Sequence, residues 1–214
     1  MALTFYYGSG SPYAWKVWLA LEHKGIPFEA KRLMFDQKET KTPDFLKLNP
    51  RGQVPVIVDD GFALYESNAI GEYLEERDPE KPLLPKGVKE RATARRLIAE
   101  VASHLEPAFD PFADATLFTK PEERDPKLIA EKREKLDAEL MRWADALTGD
   151  FFAGGVGLTD YSIFPWMRML PRIEERAPSL GYKRTDLPPK LAAWIARIEA
   201  LPYFDRTYPP HWRG

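Results

Sequence analysis

The sequence has 214 residues, 44% of them hydrophobic and 13% aromatic, a composition that excludes an intrinsically disordered chain and suits a small domain plus a medium one. Its 31 basic and 33 acidic side chains leave a net charge of −2 without a basic run, so composition gives no electrostatic basis for binding nucleic acid or an anionic membrane. There is no cysteine, which excludes disulfides, thiolate metal sites and a protein thiol as nucleophile.

The N-terminal part of the sequence alternates predicted strands and helices. An apolar run over residues 3–7 predicts a buried strand that ends at a glycine-rich turn, and residues 12–24 then follow helical spacing between Ser11 and a terminating glycine. A second strand is predicted over residues 28–34 and a short helix over residues 42–48. The element order so far is strand, helix, strand, helix.

A β-hairpin and a helix complete this region. Residues 54–59 and 62–65 are short apolar runs separated by Asp60-Gly61, a dipeptide that supplies the positive φ angles of a tight turn, so the two runs should pair antiparallel. The helix that follows is predicted to end before Pro79. The predicted order of the whole region is therefore βαβ, a short helix, then ββα.

The rest of the sequence is predicted to be helical. Residues 81–87 contain two prolines and no periodicity, and we assign them as a linker between a domain of residues 1–80 and an all-helical domain of residues 88–214. The predicted helical stretches, the first of them bent near two internal prolines, are residues 89–118, 126–147, 161–177 and 188–201. The N-terminus lacks a basic segment followed by an apolar run, and no stretch approaches the ~18 apolar residues that span a bilayer, so we expect a cytoplasmic protein.

Three blocks of the sequence carry a family resemblance: SPYAWKVWLALEHKGIPFE (11–29), TPDFLKLNPRGQVPVIVDDG (42–61) and LYESNAIGEYLEER (64–77). In order and spacing they resemble the signature blocks of cytosolic glutathione transferases of a serine-type, bacterial-like kind. The resemblance implies an α/β, thioredoxin-like βαβ-ββα domain that binds glutathione, followed by an all-α domain that contributes a hydrophobic electrophile site. The segment GLTDYSIFPW (157–166) resembles the capping segment of the family's sixth helix only weakly, since Gly157 stands where a serine or threonine is usual.

By resemblance, the reaction is the conjugation of the glutathione thiolate to a hydrophobic electrophile. A free thiol of this kind has a pKa near ~8.5, so only about 3% is ionised at pH 7, and a hydroxyl donor at a helix N-terminus would favour the thiolate through its hydrogen bond and the helix dipole. Ser11, directly before Pro12, matches the family's donor position, although a serine there can also be a plain helix N-cap. Ser9 and Tyr7 are alternative donors.

The second block supplies predicted glutathione-binding residues. By resemblance, Val54 precedes a cis-proline, Pro55, and pairs through its backbone with the cysteinyl unit of glutathione, while Gln53 reaches the glycyl end. Lys41, just before this block, matches a family lysine that reaches the glycyl carboxylate. An ordinary proline at a strand start and a solvated lysine are the alternative interpretations.

The third block predicts an anion site. Glu66 and Ser67 lie where a strand ends and a helix begins, so backbone N–H groups and the Ser67 hydroxyl can bind the γ-glutamyl carboxylate, while Glu66 meets the ammonium group. A serine N-cap beside an acidic residue is the alternative interpretation. Three scattered histidines, His23, His104 and His211, lack the spacing of metal ligands, and we predict no metal.

The electrophile pocket is predicted to be built from aromatic side chains. The candidates are Tyr13, Phe109, Phe112, Phe118, Trp166, His211 and Trp212. Glutathione-dependent peroxidase, dehalogenase or isomerase reactions could use the same site, and a non-catalytic binding or scaffold protein of the same fold is the alternative outside enzymes. The expected partners are glutathione and small hydrophobic electrophiles, with no nucleic acid and no membrane, and the resemblance implies a homodimer.

Overall fold

The structure is a computed structural model that describes residues 3–213. The chain folds into two compact units, one formed by Met1–Leu84 together with Leu201–Gly214 and the other by Pro85–Ala200. The sequence-based division placed the whole C-terminal segment in the helical domain. The structure differs there, because the segment from Leu201 onward packs on the first unit.

A mixed sheet forms the centre of the first unit. Within the described residues it has four strands: β1 (Leu3–Tyr7), β2 (Phe28–Arg32), β3 (Val56–Asp59) and β4 (Phe62–Tyr65). Their order is β2-β1-β3-β4, with β1 and β2 parallel and the other two pairs antiparallel. The hairpin predicted around Asp60-Gly61 is present, since β3 and β4 pair directly across it.

Two strands are shorter than the sequence predicted. β2 ends at Arg32 rather than at residue 34, because its partner β1 ends opposite it at Tyr7. β3 begins at Val56 rather than at residue 54, because Pro55 has no N–H to give to the ladder. The peptide bond between Val54 and Pro55 is cis, as the family resemblance implied.

Helices α1 (Pro12–Lys24), α2 (Pro43–Leu48) and α3 (Ser67–Arg77) follow β1, β2 and β4. α1 begins where the Ser11 hydroxyl accepts a hydrogen bond from the Ala14 N–H at 3.3 Å. It ends at Gly25, whose left-handed backbone, with a φ of 67°, directs its N–H to the Glu22 carbonyl. The start and stop signals read from the sequence are therefore the ones that the chain uses.

The second unit is helical. Its helices are α4 (Val88–Glu100), α5 (Glu106–Ala113), α6 (Pro126–Ala146), α7 (Leu158–Arg176) and α8 (Pro189–Glu199). π-helical turns at Val101–Leu105 and Asp114–Phe118 make the first stretch one continuous helical path, with Pro107 and Pro111 inside it. Such wide turns accommodate a proline, which cannot donate the usual backbone hydrogen bond. None of the helices in the described residues combines the length and apolar character that a bilayer crossing requires.

α7 begins at Leu158, earlier than the sequence predicted, and Asp160 is the reason. One carboxylate oxygen of this fully buried residue accepts the Gly157 N–H at 3.1 Å, which caps the first turn. The other oxygen accepts the Phe152 N–H at 3.1 Å and the Trp194 indole N–H at 2.9 Å. Asp160 therefore starts α7 despite the glycine at the cap position, and it also joins α7 to α8.

The C-terminal segment packs on α1 with a short helix, α9 (Phe204–Thr207), and a 3₁₀ turn, Pro210–Trp212. Trp15 is the centre of this contact, because its indole N–H donates to the Thr207 hydroxyl at 3.0 Å. The Trp15 ring also packs edge-on against Trp212, with ring centroids 5.4 Å apart. The segment has no periodic signal in the sequence, because so short a helix is stabilised by tertiary contacts rather than by its own pattern.

Candidate active site

The predicted site residues meet at one edge of the sheet. β1 and β3 are antiparallel, so the end of β1 lies beside the beginning of β3, where Tyr6 pairs with Val56. β3 and β4 are antiparallel too, so the end of β4 at Tyr65 lies opposite the same Val56. The loop after β1, the segment before β3 and the turn after β4 therefore converge. These segments carry Ser11, Val54–Pro55 and Glu66–Ser67.

Ser11 presents its hydroxyl at the N-terminus of α1. Its backbone is extended, with φ −68° and ψ 120°, and its Oγ accepts the Ala14 N–H at 3.3 Å. This bond uses a lone pair of the oxygen, so the hydroxyl hydrogen can donate to a second partner. The cap and donor interpretations are therefore compatible: the bond that starts the helix fixes the oxygen, and the helix dipole favours a negative charge beside it.

The two alternative donors have other contacts. Tyr7 is buried with its ring edge-on to Trp18, the ring centroids 4.6 Å apart, and burial raises the pKa of its hydroxyl. That environment fits a core aromatic better than an acidic donor. Ser9 Oγ is hydrogen-bonded to Nδ1 of His211 at 2.6 Å. Ser9 and Ser11 nevertheless line the same small cavity as Tyr7.

The segment before β3 is fixed by a buried asparagine. The Asn49 side-chain amide donates to the Gln53 carbonyl at 2.8 Å, and its oxygen accepts the Arg51 N–H at 3.0 Å. These bonds hold the loop that leads into the cis peptide between Val54 and Pro55. The Gln53 side chain is exposed next to it, where it can meet a ligand.

Lys41 lies beside the same loop. Its ammonium donates to the carbonyls of Gly52 at 2.9 Å and Arg51 at 3.3 Å. Gly52 has a φ of 60°, and a Cβ there would lie 2.7 Å from the backbone carbonyl oxygen of Thr40, so this position favours glycine. An ammonium has three donors, which leaves one for a carboxylate near Gln53.

Glu66 has a backbone conformation that is rare outside glycine, with φ 71° and ψ 108°. Such conformations cost of order 1–3 kcal/mol and cluster at functional sites. Here the conformation turns the chain from β4 directly into α3, whose first residue is Ser67. Because the first N–H groups of a helix lack intrahelical partners, Ser67 and its neighbours present unused donors at the sheet edge.

Lys16 is a site residue that the sequence reasoning missed. It is only 5% exposed, and its Nζ donates to the Ser67 hydroxyl at 3.4 Å and to the Asn68 side-chain oxygen. Burial lowers the pKa of Lys16 to about 7. Lys16 lies off the apolar stripe of α1, where exposed side chains are usual, but nearly every position from Ala14 to Leu21 is buried.

Replacing Lys16 with methionine is expected to raise stability and to flatten its pH dependence. The folded protein lowers the pKa of Lys16 from 10.5 to about 7, so between these values it binds fewer protons than the unfolded chain. The free energy of unfolding of the wild type should therefore rise with pH across this window, whereas below it both states are protonated and the burial cost is constant. Methionine removes the charge and keeps the aliphatic stem, and we expect about 2–4 kcal/mol more stability near pH 7.

Urea unfolding of both proteins at several pH values between the two pKa values measures these effects. Lys89→Met changes an exposed lysine of the second unit and is the control. Its free energy of unfolding should change with pH as that of the wild type does. If Lys16→Met has the pH dependence of the wild type and no gain in stability, burial of the Lys16 charge does not destabilise the folded protein.

The aromatic candidates for the electrophile pocket divide into core and surface residues. Phe109 and Phe112 are 2% and 0% exposed, and their rings pack edge-on against other aromatic side chains of the second unit, Trp166 among them. Their helical spacing therefore marks a core face rather than an open pocket. Tyr13 and Phe118 are exposed by 38% and 74%.

Two protein-family models match this chain. The family model described as glutathione S-transferase, N-terminal domain, matches residues 10–77, and the one described as glutathione S-transferase, C-terminal domain, matches residues 89–202. The chain belongs to the glutathione S-transferase family. The first match contains Ser11, the cis-proline segment and the turn into α3, which are the converging parts of the site.

Curated relatives carry several names within this family. Glutathione S-transferase 1 of Dianthus caryophyllus is 43% identical over 49% of this chain and 48% of that protein. A probable glutathione transferase omega-2 of Caenorhabditis briggsae is 31% identical over 89% of this chain and 74% of that protein. A maleylacetoacetate isomerase of Dictyostelium discoideum is 41% identical over 45% of each chain. The first and third alignments thus span about half of each relative.

Solved structures share the fold over nearly the whole length. A glutathione S-transferase from the Antarctic clam Laternula elliptica has a TM-score of 0.87 and 33% identity, over 99% of this chain and 94% of that chain. A glutathione transferase from Burkholderia graminis, with two glutathione molecules bound per subunit, has a TM-score of 0.83 and 25% identity, over 100% of this chain and 90% of that chain. The predicted fold, a thioredoxin-like domain followed by an all-helical one, is confirmed.

Proposed function

We propose that this chain is a glutathione transferase that binds glutathione at the sheet edge where β1, β3 and β4 meet and activates its thiol there. The observation that carries the proposal is the convergence, at that edge, of the helix-capping Ser11, the cis Val54–Pro55 segment and the Glu66–Ser67 turn. The related proteins named glutathione transferases, and the related structure with glutathione bound, support it.

Ser11 is the proposed thiol donor. Its hydroxyl hydrogen bonds to the sulfur, and the positive end of α1 faces the same atom, so both favour the thiolate over the thiol. Lowering the thiol pKa by two units corresponds to roughly 2.7 kcal/mol, which a charge-assisted hydrogen bond and a helix dipole can supply together. The thiol proton leaves to solvent.

Once the thiolate has formed, conjugation requires mainly that the electrophilic carbon be held close to the sulfur. The thiolate sulfur attacks an electrophilic carbon held beside it, a C–S bond forms, and in the case of a halide the carbon–halogen bond breaks with its electron pair on the leaving halide. No group of the protein is oxidised or reduced in this step. A chain without cysteine can therefore carry it out.

The remaining predicted residues bind the rest of glutathione in the proposal. The Val54 backbone pairs with the cysteinyl unit, and Gln53 and Lys41 bind the glycyl carboxylate. Ser67, together with the first N–H groups of α3, binds the γ-glutamyl carboxylate, and Glu66 binds its ammonium group.

Replacing Ser67 with alanine is expected to weaken glutathione binding roughly 10- to 100-fold, because a hydrogen bond to a carboxylate contributes about 1.5–3 kcal/mol. Calorimetric titration with S-methylglutathione measures the affinity without turnover. Asn68→Ala is the matched control: it removes the neighbouring Lys16 contact without touching the proposed anion site, and it should bind with wild-type affinity. Equal affinities for Ser67→Ala and the wild type would remove Ser67 from the site.

Binding and turnover by the wild-type protein test the proposed function as a whole. Calorimetric titration with glutathione should give saturable binding, and incubation with glutathione and 1-chloro-2,4-dinitrobenzene should release the thioether and chloride. Binding without turnover of any electrophile would favour the non-catalytic carrier or scaffold. Failure to bind glutathione would overturn the proposal.

Cis–trans isomerisation is the second candidate, and the relatives named maleylacetoacetate isomerase favour it. In that reaction the thiolate adds to a carbon–carbon double bond, the resulting single bond rotates, and the thiolate leaves again. Glutathione is regenerated, so its concentration stays constant during turnover, whereas conjugation consumes it. This difference separates the two reactions in one assay. The peroxidase and dehalogenase alternatives begin from the same thiolate.

We also propose that the chain acts in the cytoplasm as a homodimer, in line with the family resemblance. Sedimentation velocity at micromolar concentration should give a single species of twice the chain mass. A monomer at that concentration would contradict the dimer.

A further inference from the structure

The C-terminal segment from Leu201 onward, the tail, reaches the loop that carries Ser11, the proposed thiol donor. Nδ1 of His211, in the 3₁₀ turn Pro210–Trp212, lies 2.6 Å from the Ser9 hydroxyl oxygen. Gly10 has a φ of 83°, and a Cβ at this position would lie 2.8 Å from Cε1 of His211. The loop therefore approaches the imidazole as closely as a glycine permits.

The tail also forms part of the wall of the small cavity that Ser9 and Ser11 line. Ser9 and Ser11 line this cavity together with Thr207 and Pro209. Thr207 is fully buried and held in place, since its hydroxyl accepts the Trp15 indole N–H and donates to the Phe204 carbonyl at 2.9 Å. The wall that faces the two serines is thus anchored on α1.

The neighbour of His211 fixes its tautomer. The indole N–H of Trp212 donates to Nε2 of His211 at 3.0 Å. An indole N–H is only a donor, so Nε2 is an unprotonated acceptor, and the hydrogen of the neutral imidazole resides on Nδ1. Nδ1–H therefore donates to the Ser9 oxygen, and the hydroxyl hydrogen of Ser9 must point to another partner.

We propose that His211 is a positioning residue of the thiol site: it holds Ser9 so that the Ser9 hydroxyl donates into the cavity, beside Ser11, to the glutathione thiolate. This inference rests on the proposed function. A thiolate sulfur accepts more than one hydrogen bond, and each added donor favours the charged form further. Ser9 contacts the sulfur, whereas His211 acts through Ser9.

A double-mutant cycle of Ser9→Ala, His211→Ala and the double variant tests the inference. The readouts are the pKa of the bound glutathione thiol, from thiolate absorbance, together with kcat and KM. Each single variant should raise the thiol pKa by about 0.5–1 unit and lower kcat/KM about 1.5- to 3-fold at pH 7, where the wild-type thiol is already about three quarters ionised, with the KM for glutathione little changed. The double variant should be no worse than the Ser9 single variant, because His211 acts only through Ser9.

Two further variants sharpen the test. Trp212→Phe keeps an aromatic ring but removes the N–H that fixes the tautomer, and it should show a smaller shift in the same direction. Tyr203→Phe is the matched control, because it removes another tail hydrogen bond, 3.2 Å long to His23, and leaves the Ser9 contact in place. Its bound thiol should keep the wild-type pKa.

An unchanged thiol pKa in His211→Ala, or full additivity in the cycle, would overturn the inference. A wild-type protein that does not bind glutathione would instead refute the proposed function. A wild-type protein that ionises the bound thiol while His211→Ala behaves identically would refute only the role of the tail.

Discussion

Replacing Ser11 with alanine is expected to lower kcat/KM for conjugation by roughly 8-fold at pH 7. With a bound thiol pKa two units below its free value, about three quarters of the thiol is ionised at this pH. Loss of Ser11 should raise the thiol pKa by about 1.5 units, because the helix dipole and Ser9 remain, and this leaves about 9% ionised. The KM for glutathione should change little, since Ser11 contacts only the sulfur. The pH–rate profile should shift upward by about 1.5 units, with the rates of the two enzymes converging in alkaline solution.

Two variants separate the loss of the donor from the loss of the helix cap. Ser11→Thr keeps both a hydroxyl and a capping oxygen and should retain most of the activity. Asp125→Ala removes a comparable cap from α6, where the Asp125 carboxylate accepts the Lys127 N–H at 2.8 Å. It should cost about 1 kcal/mol of stability without moving the pH–rate profile. A Ser11→Ala enzyme with the wild-type profile would contradict the donor role.

Replacing Asp160 with alanine is expected to lower the free energy of unfolding by about 2–4 kcal/mol. Asp160 is 0% exposed, and burial raises the pKa of its carboxyl to about 6, a cost that alanine would relieve. The larger effect is on its three donors. The N–H groups of Phe152 and Gly157 and the indole N–H of Trp194 would lose their acceptor, and a buried unsatisfied donor costs about 1–3 kcal/mol.

Urea unfolding measures this loss. Asp160→Asn keeps the volume and one acceptor oxygen and should fall between the wild type and the alanine variant. Asp150→Ala is the matched control, since Asp150 is 73% exposed and only pairs with Arg197 at 3.1 Å, and it should lie within about 0.5 kcal/mol of the wild type. If Asp160→Ala and Asp150→Ala unfold at the same urea concentration, the buried network does not stabilise α7.

Most of the fold could be predicted because local chemistry and tertiary structure agree. The capping Ser11, the terminating Gly25 and the Asp60-Gly61 turn each specify one boundary, and the structure uses all three. The predicted boundaries of β2 and α7 were wrong because a tertiary contact, rather than the local sequence, determines where each element ends or begins. β2 stops where its partner stops, and α7 starts where the buried Asp160 can accept a hydrogen bond.

The residues of the candidate site were predicted from the family resemblance, and their roles stay a prediction. The structure gives a topological reason for their convergence, because the three segments directly follow or precede strands that pair. The contacts of Lys16 and of His211 were not predictable, because each joins segments far apart in sequence, 51 positions for Lys16 and Ser67 and 202 for Ser9 and His211. Aromatic spacing could not separate core from pocket, as Phe112 shows, since both environments select the same side chains.

The ultraviolet absorbance of bound glutathione as a function of pH tests the activation of the thiol most directly. We expect a midpoint of ionisation below pH 7 in the wild-type protein and a return towards ~8.5 in Ser11→Ala. A wild-type midpoint equal to that of free glutathione would contradict the claim that this site stabilises the thiolate.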